Sequence, residues 1–108
     1  MRYANEIIVE ALREDRGFLK EHLTNAIFSM FHKDIPTACL MIRDIVNATT
    51  GFPDLAIKLN RKDKGKGLMQ MLSKNSNPSA ASLFAIIGAV LEHEGIEIVG
   101  TEIKDKAA

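Results

Sequence analysis

The sequence predicts an all-α bundle of five to six helices with a short C-terminal strand. Three observations point there. Apolar residues recur at helical spacing through most of the 108 residues. Glycine and proline punctuate that pattern at Gly17, Pro36, Gly51-Phe52-Pro53, Pro78 and Gly95. Only Ile96 to Ile103, rich in isoleucine and valine, shows the partial alternation of a strand.

Taken in order, Asn5 is placed to cap a first helix, with Ile7, Ile8, Ala11 and Leu12 on one side and Glu6, Glu10 and Arg13 on the other. Arg16-Gly17 interrupts it. A second helix follows with Phe18, Leu19, Leu23, Ala26, Ile27, Met30 and Phe31 on its apolar face, and Pro36 stops it. Thr37 starts a third, striped by Ala38, Met41, Ile42, Ile45 and Val46 and closed by Gly51. Pro53 suits the first turn of a short fourth helix, with Asp54 complementing its N-terminus and Leu55, Ala56 and Leu59 inward. A fifth helix runs from about Lys66 to Lys74, anchored by Leu68, Met69 and Leu72. Lys66, Gln70 and Ser73 face outward. Ser79 caps a sixth, with Leu83, Phe84, Ile86, Ile87, Val90 and Leu91 as its core face, and Gly95 ends it.

The fourth and fifth helices are short and joined by the polar turn Asn60-Arg61-Lys62-Asp63-Lys64-Gly65-Lys66-Gly67. Two such helices around a tight turn have the form of a helix-turn-helix, whose second helix enters the major groove of DNA. The charge distribution agrees. The chain is neutral overall, with 14 Lys and Arg against 14 Asp and Glu. Yet Lys58, Arg61, Lys62, Lys64, Lys66 and Lys74 face only Asp63 in their stretch, a local balance of 6 − 1 = +5. A local basic patch suffices for nucleic acid, and the neutral whole argues against a general polyanion binder. Arg61, Lys62, Lys64 and Lys66 are candidates for phosphate contacts, aided by backbone N–H groups at the start of the fifth helix. Gln70 is a candidate for pairing with adenine. Asn75 and Asn77 are placed to touch phosphate or to make turn hydrogen bonds.

Other chemistry is thin. His22, His32, His93 and the lone Cys39 lack metal-ligand spacing, and no cofactor is implied. No nucleophile–base set is visible, so no enzyme activity is expected. Met69 and Met71 read as core filler. One cysteine permits no internal disulfide, and no signal peptide or membrane span is visible, so a cytoplasmic location is expected.

Residues Arg43-Asp44-Ile45-Val46-Asn47-Ala48-Thr49-Thr50-Gly51-Phe52, Leu55-Ala56, Leu68-Met69-Gln70-Met71-Leu72, Asn77-Pro78-Ser79-Ala80 and Leu83-Phe84-Ala85-Ile86-Ile87 carry a resemblance. In that order they resemble the addiction-module antidote proteins, small HigA-like antitoxins of the phage-repressor type. The resemblance implies a lambda-repressor-like helix-turn-helix bundle that binds operator DNA as a homodimer. It also implies a RelE/HigB-like ribonuclease toxin as partner and repression of the shared operon. Lys66, Gly67 and Gln70 fall where that family's recognition helix faces DNA. Leu55, Ala56, Leu68 and Leu83 fall on its buried positions. The turn here is two residues longer than the family's, and Gly65-Lys66-Gly67 replaces its Ser-Pro or Ser-Ser helix start, with Asp63 a candidate N-cap.

The expected organisation is a helical extension over residues 1–36, a DNA-binding domain over 37–95, and a strand and tail over 96–108. The expected DNA-contacting set is Arg61, Lys62, Lys64, Lys66, Gly67, Gln70, Lys74 and Asn75. The rival from another class is an interaction module that neutralises a toxin or binds a partner without touching DNA.

Overall fold

Six helices make up the regular structure of the computed structural model, which describes residues 4–73, 75–100 and 102–107. They are α1 (Ala4–Glu14), α2 (Arg16–Phe31), α3 (Ile35–Ala48), α4 (Phe52–Lys58), α5 (Lys66–Met71) and α6 (Ala80–Glu94). The all-helical expectation holds. The short strand expected over Ile96 to Ile103 does not: there is no strand among the described residues. Ile98, Val99 and Ile103 are exposed there. Alternation alone does not make a strand, because its N–H and C=O groups need a neighbouring edge.

The helix boundaries follow from local hydrogen bonding. The first break falls at Asp15, one residue before Arg16-Gly17, and the Asp15 carboxylate accepts from the Phe18 N–H at 3.1 Å. Asn5 does not cap α1, which already includes Ala4. Asp34, not Thr37, caps α3, accepting from the Thr37 N–H at 3.3 Å. Pro36 therefore lies inside the first turn of α3, where a missing N–H leaves no bond unmade. Ser79 caps α6 as expected, and Gly95 closes it in the left-handed conformation at φ 67°.

One core draws on every helix. Leu12, Leu23, Ile42, Val46, Phe52, Leu55, Leu68, Leu83, Ile86 and Val90 are all buried within it. A buried leucine contributes about 2 kcal/mol by its removal from water. Helix α3 packs on both α1 and α2, and α4 packs on α3, α5 and α6. The α3–α4 joint therefore connects the two halves, passing through Gly51 at φ 76°. Two arginines add long-range ties. Arg13 donates to the Asn47 carbonyl at 2.8 Å. Arg16 donates to the Glu94 carboxylate and to its carbonyl, both at 2.5 Å, tying the start of α2 to the end of α6.

Four side chains expected on inward faces lie outside it: Ile7 is 55% exposed, Phe31 70%, Met69 40% and Phe84 55%. Cys39 is buried, and burial pushes its thiol above the ordinary range. The buried polar side chains include Asp44 on α3. It lies in electrostatic reach of His22 on α2, whose Nε2 is buried with no hydrogen-bond partner among the described residues. Burial lowers the His22 pKa, against the pull of Asp44 and Glu21. Burial raises that of Asp44, against the pull of His22 and Arg43.

Candidate nucleic-acid interface

The segment between α4 and α5 is held by its own backbone. Asn60, at φ 59°, ends α4 in the left-handed conformation that asparagine tolerates. The Arg61 N–H then returns to the Ala56 carbonyl at 2.8 Å. Asp63 organises the rest. One carboxylate oxygen accepts from the Gly65 N–H at 3.0 Å and the other from the Gly67 N–H at 2.9 Å. Its carbonyl accepts from the Lys66 N–H at 3.2 Å. The Gly65 and Gly67 bonds favour the ionised carboxylate and hold it below the usual range, with Arg61 Nε 3.9 Å away adding to the effect.

Gly65 is required by the backbone around it, whereas Gly67 is crowded only by the ends of two exposed side chains. Gly65 is buried at φ 90°, and a Cβ there would stand 2.5 Å from the Phe52 carbonyl oxygen and 2.7 Å from its Cβ. The turn is thus seated on the first residue of α4. A Cβ on Gly67 would stand 2.6 Å from the Asp63 carboxylate and 2.8 Å from an Arg61 nitrogen. Gly65, which lowers helix propensity in this sequence, is the residue that lets the longer turn close.

The result is an alternation along the turn. Arg61, Asp63, Gly65 and Gly67 bond or pack within the segment. Lys62, Lys64 and Lys66 are exposed and form no ion pair or side-chain hydrogen bond among the described residues. Lys58, Gln70 and Asn75 are also exposed. Lys74 lies outside the described residues.

Two expectations about this site are corrected. The N–H groups of Lys66 and Gly67 at the start of α5 are already bonded to Asp63 and are not available to a phosphate. Met69 is not an inward anchor: it is 40% exposed, while Leu68 and Leu72 are buried and hold α5 to the core. Beyond α5 the side-chain turn bonds come from serines. Ser73 Oγ donates to the Gln70 carbonyl at 2.7 Å, and Ser76 Oγ donates to that of Met71. The signal for the role of Asp63 was present in the sequence, since an aspartate two residues before a glycine favours an Asx-type turn.

No family model, curated protein or solved structure matches the chain. The site is therefore read from its own geometry. Among the described residues no helix is long and apolar enough to cross a membrane. Nor is any group of three or more His, Cys, Asp and Glu side chains placed to hold a metal ion. What the segment presents is a set of unpaired ammonium groups beside a short exposed helix face carrying an amide.

Proposed function

We propose that this chain is a sequence-specific DNA-binding regulator, with α4 and α5 as its helix-turn-helix. One observation carries the reading. Lys62, Lys64 and Lys66 are exposed and unpaired, while Asp63, the one acid among them, is committed to the turn backbone. The lysines hold the phosphates, and Gln70 on the outward side of α5 reads a base edge. The protein acts as a homodimer on a two-fold operator, and the resemblance to HigA-like antitoxins supports autorepression and pairing with a RelE/HigB-like toxin.

The test is a gel shift with the DNA upstream of the coding sequence across a salt series. Binding falls with salt, by a log–log slope of about −0.9 for each phosphate neutralised. Replacing Lys64 and Lys66 together with Glu abolishes the shift while leaving the helical circular dichroism unchanged. A retained shift places the DNA face elsewhere. No shift at low salt with the native chain favours the interaction module, for which the exposed Phe28 and Phe31, one turn apart on α2, are the first surface to alter.

A further inference from the structure

The outward side of α5 carries one side chain that the charge argument leaves unused. With about 3.6 residues per turn, Leu68 and Leu72 share one side of α5, Lys66 and Gln70 share the opposite side, and Met69 stands beside Gln70. The exposures agree: both leucines are buried, whereas Lys66, Met69 and Gln70 are exposed. Met69 is 40% exposed, so part of its thioether side chain is open to solvent although the two leucines already seat the helix.

The neighbourhood of Met69 identifies what would cover it. It lies within the stretch of local charge +5, beside a lysine and an amide, so its complement is a polyanion that also offers a small apolar group. The major groove of DNA has one such group, the C5-methyl of thymine, and the adenine edge that suits a glutamine amide belongs to the same kind of base pair. Methionine is unbranched and adapts its shape to a single methyl. We propose that Met69 is a specificity-determining residue that packs on a thymine methyl, so that Met69 and Gln70 together select A·T pairs in the DNA they contact. This rests on the DNA-binding reading above.

The experiment separates the two. Duplexes are selected from a random pool by repeated gel shift with the full chain, and each thymine of the enriched site is replaced in turn by deoxyuridine, which lacks only the methyl. The expected result is one thymine whose replacement weakens binding about fourfold, the worth of one buried methyl. That penalty disappears in Met69→Ala, whose thermal melt stays close to that of the native chain. Gln70→Ala keeps the methyl penalty but loses the preference for adenine, by about tenfold. If no thymine responds, or if the penalty survives in Met69→Ala, the assignment of Met69 is overturned while DNA binding stands. If no duplex is enriched at low salt, both readings fail.

Discussion

The α2–α3 pair and the α4–α5 turn each contain an aspartate, and the two regions treat it in opposite ways. Asp44 is buried against an apolar core, near a histidine that is itself short of a partner among the described residues, and burial pushes its carboxyl up. Asp63 is exposed, bonded to two backbone N–H groups, and held down. The first region is stable through the apolar area that it buries and tolerates a charge at a cost. The second buries little of its own and depends on a carboxylate and one missing side chain. The turn that displays the cations has little apolar area of its own, so its shape depends on polar geometry that a single methyl group can disturb.

The largest test of that contrast is Gly65→Ala. Left-handed backbone and a 2.5 Å approach to Phe52 act together, and the expected loss is about 3 kcal/mol in denaturant unfolding. Gly88→Ala on α6 is the control, because nothing lies within 4 Å of its Cβ position and alanine favours helix by up to about 1 kcal/mol. A Gly65→Ala protein as stable as the parent would mean that the turn is not seated on α4.

The His22–Asp44 pair comes next. His22 has a lowered pKa, so its stabilising contribution is whole above the ordinary histidine value of about 6.5 and is lost as pH falls below it. Asp44 has a raised pKa, so its contribution is whole below the ordinary carboxylate value and is lost as pH rises through the folded value. Asp44→Asn therefore raises the melting midpoint at neutral pH. It also steepens the loss below about pH 6.5, because the carboxylate that eased His22 protonation is gone. His22→Gln flattens that acidic limb. A pH series of thermal melts reads all three proteins.

The smallest effect belongs to Asp63. Its pKa is lowered, so its contribution is present above the ordinary carboxylate value and disappears as pH falls through the folded one. Asp63→Ala lowers the melting midpoint at neutral pH slightly and leaves it unchanged at strongly acidic pH. Hydrogen exchange at the Gly65 and Gly67 amides rises, while that of α3 amides stays as it was. If the α3 amides loosen equally, the turn is not an independent unit.

Local signals in the sequence were legible and contacts across the chain were not. Pro53, Ser79 and Gly95 mark helix ends because capping is decided within a few residues. Helix α2 ends before Pro36 as expected, but α3 starts at Ile35 rather than Thr37, because a proline just after a cap residue fits the first helical turn and Asp34 supplies that cap. The strand expectation over Ile96 to Ile103 took a propensity for a structure that needs a partner. Asp63 was expected to cap α5, but Gly65 is its N-cap, and Asp63 instead holds the turn from two residues earlier. The seating of Gly65 on Phe52 was not legible, since it joins the turn to the preceding helix through space. Met69 faces outward because two leucines are enough to anchor so short a helix, and apolar character alone does not place a residue in the core.

The alternation along residues 61–67 has an evolutionary consequence. The odd positions fold the loop and the even ones are spare, apart from the left-handed backbone at Lys64. Selection can exchange the spare side chains one at a time without renegotiating the fold, so descendants of this protein could diverge in their targets while keeping an identical frame.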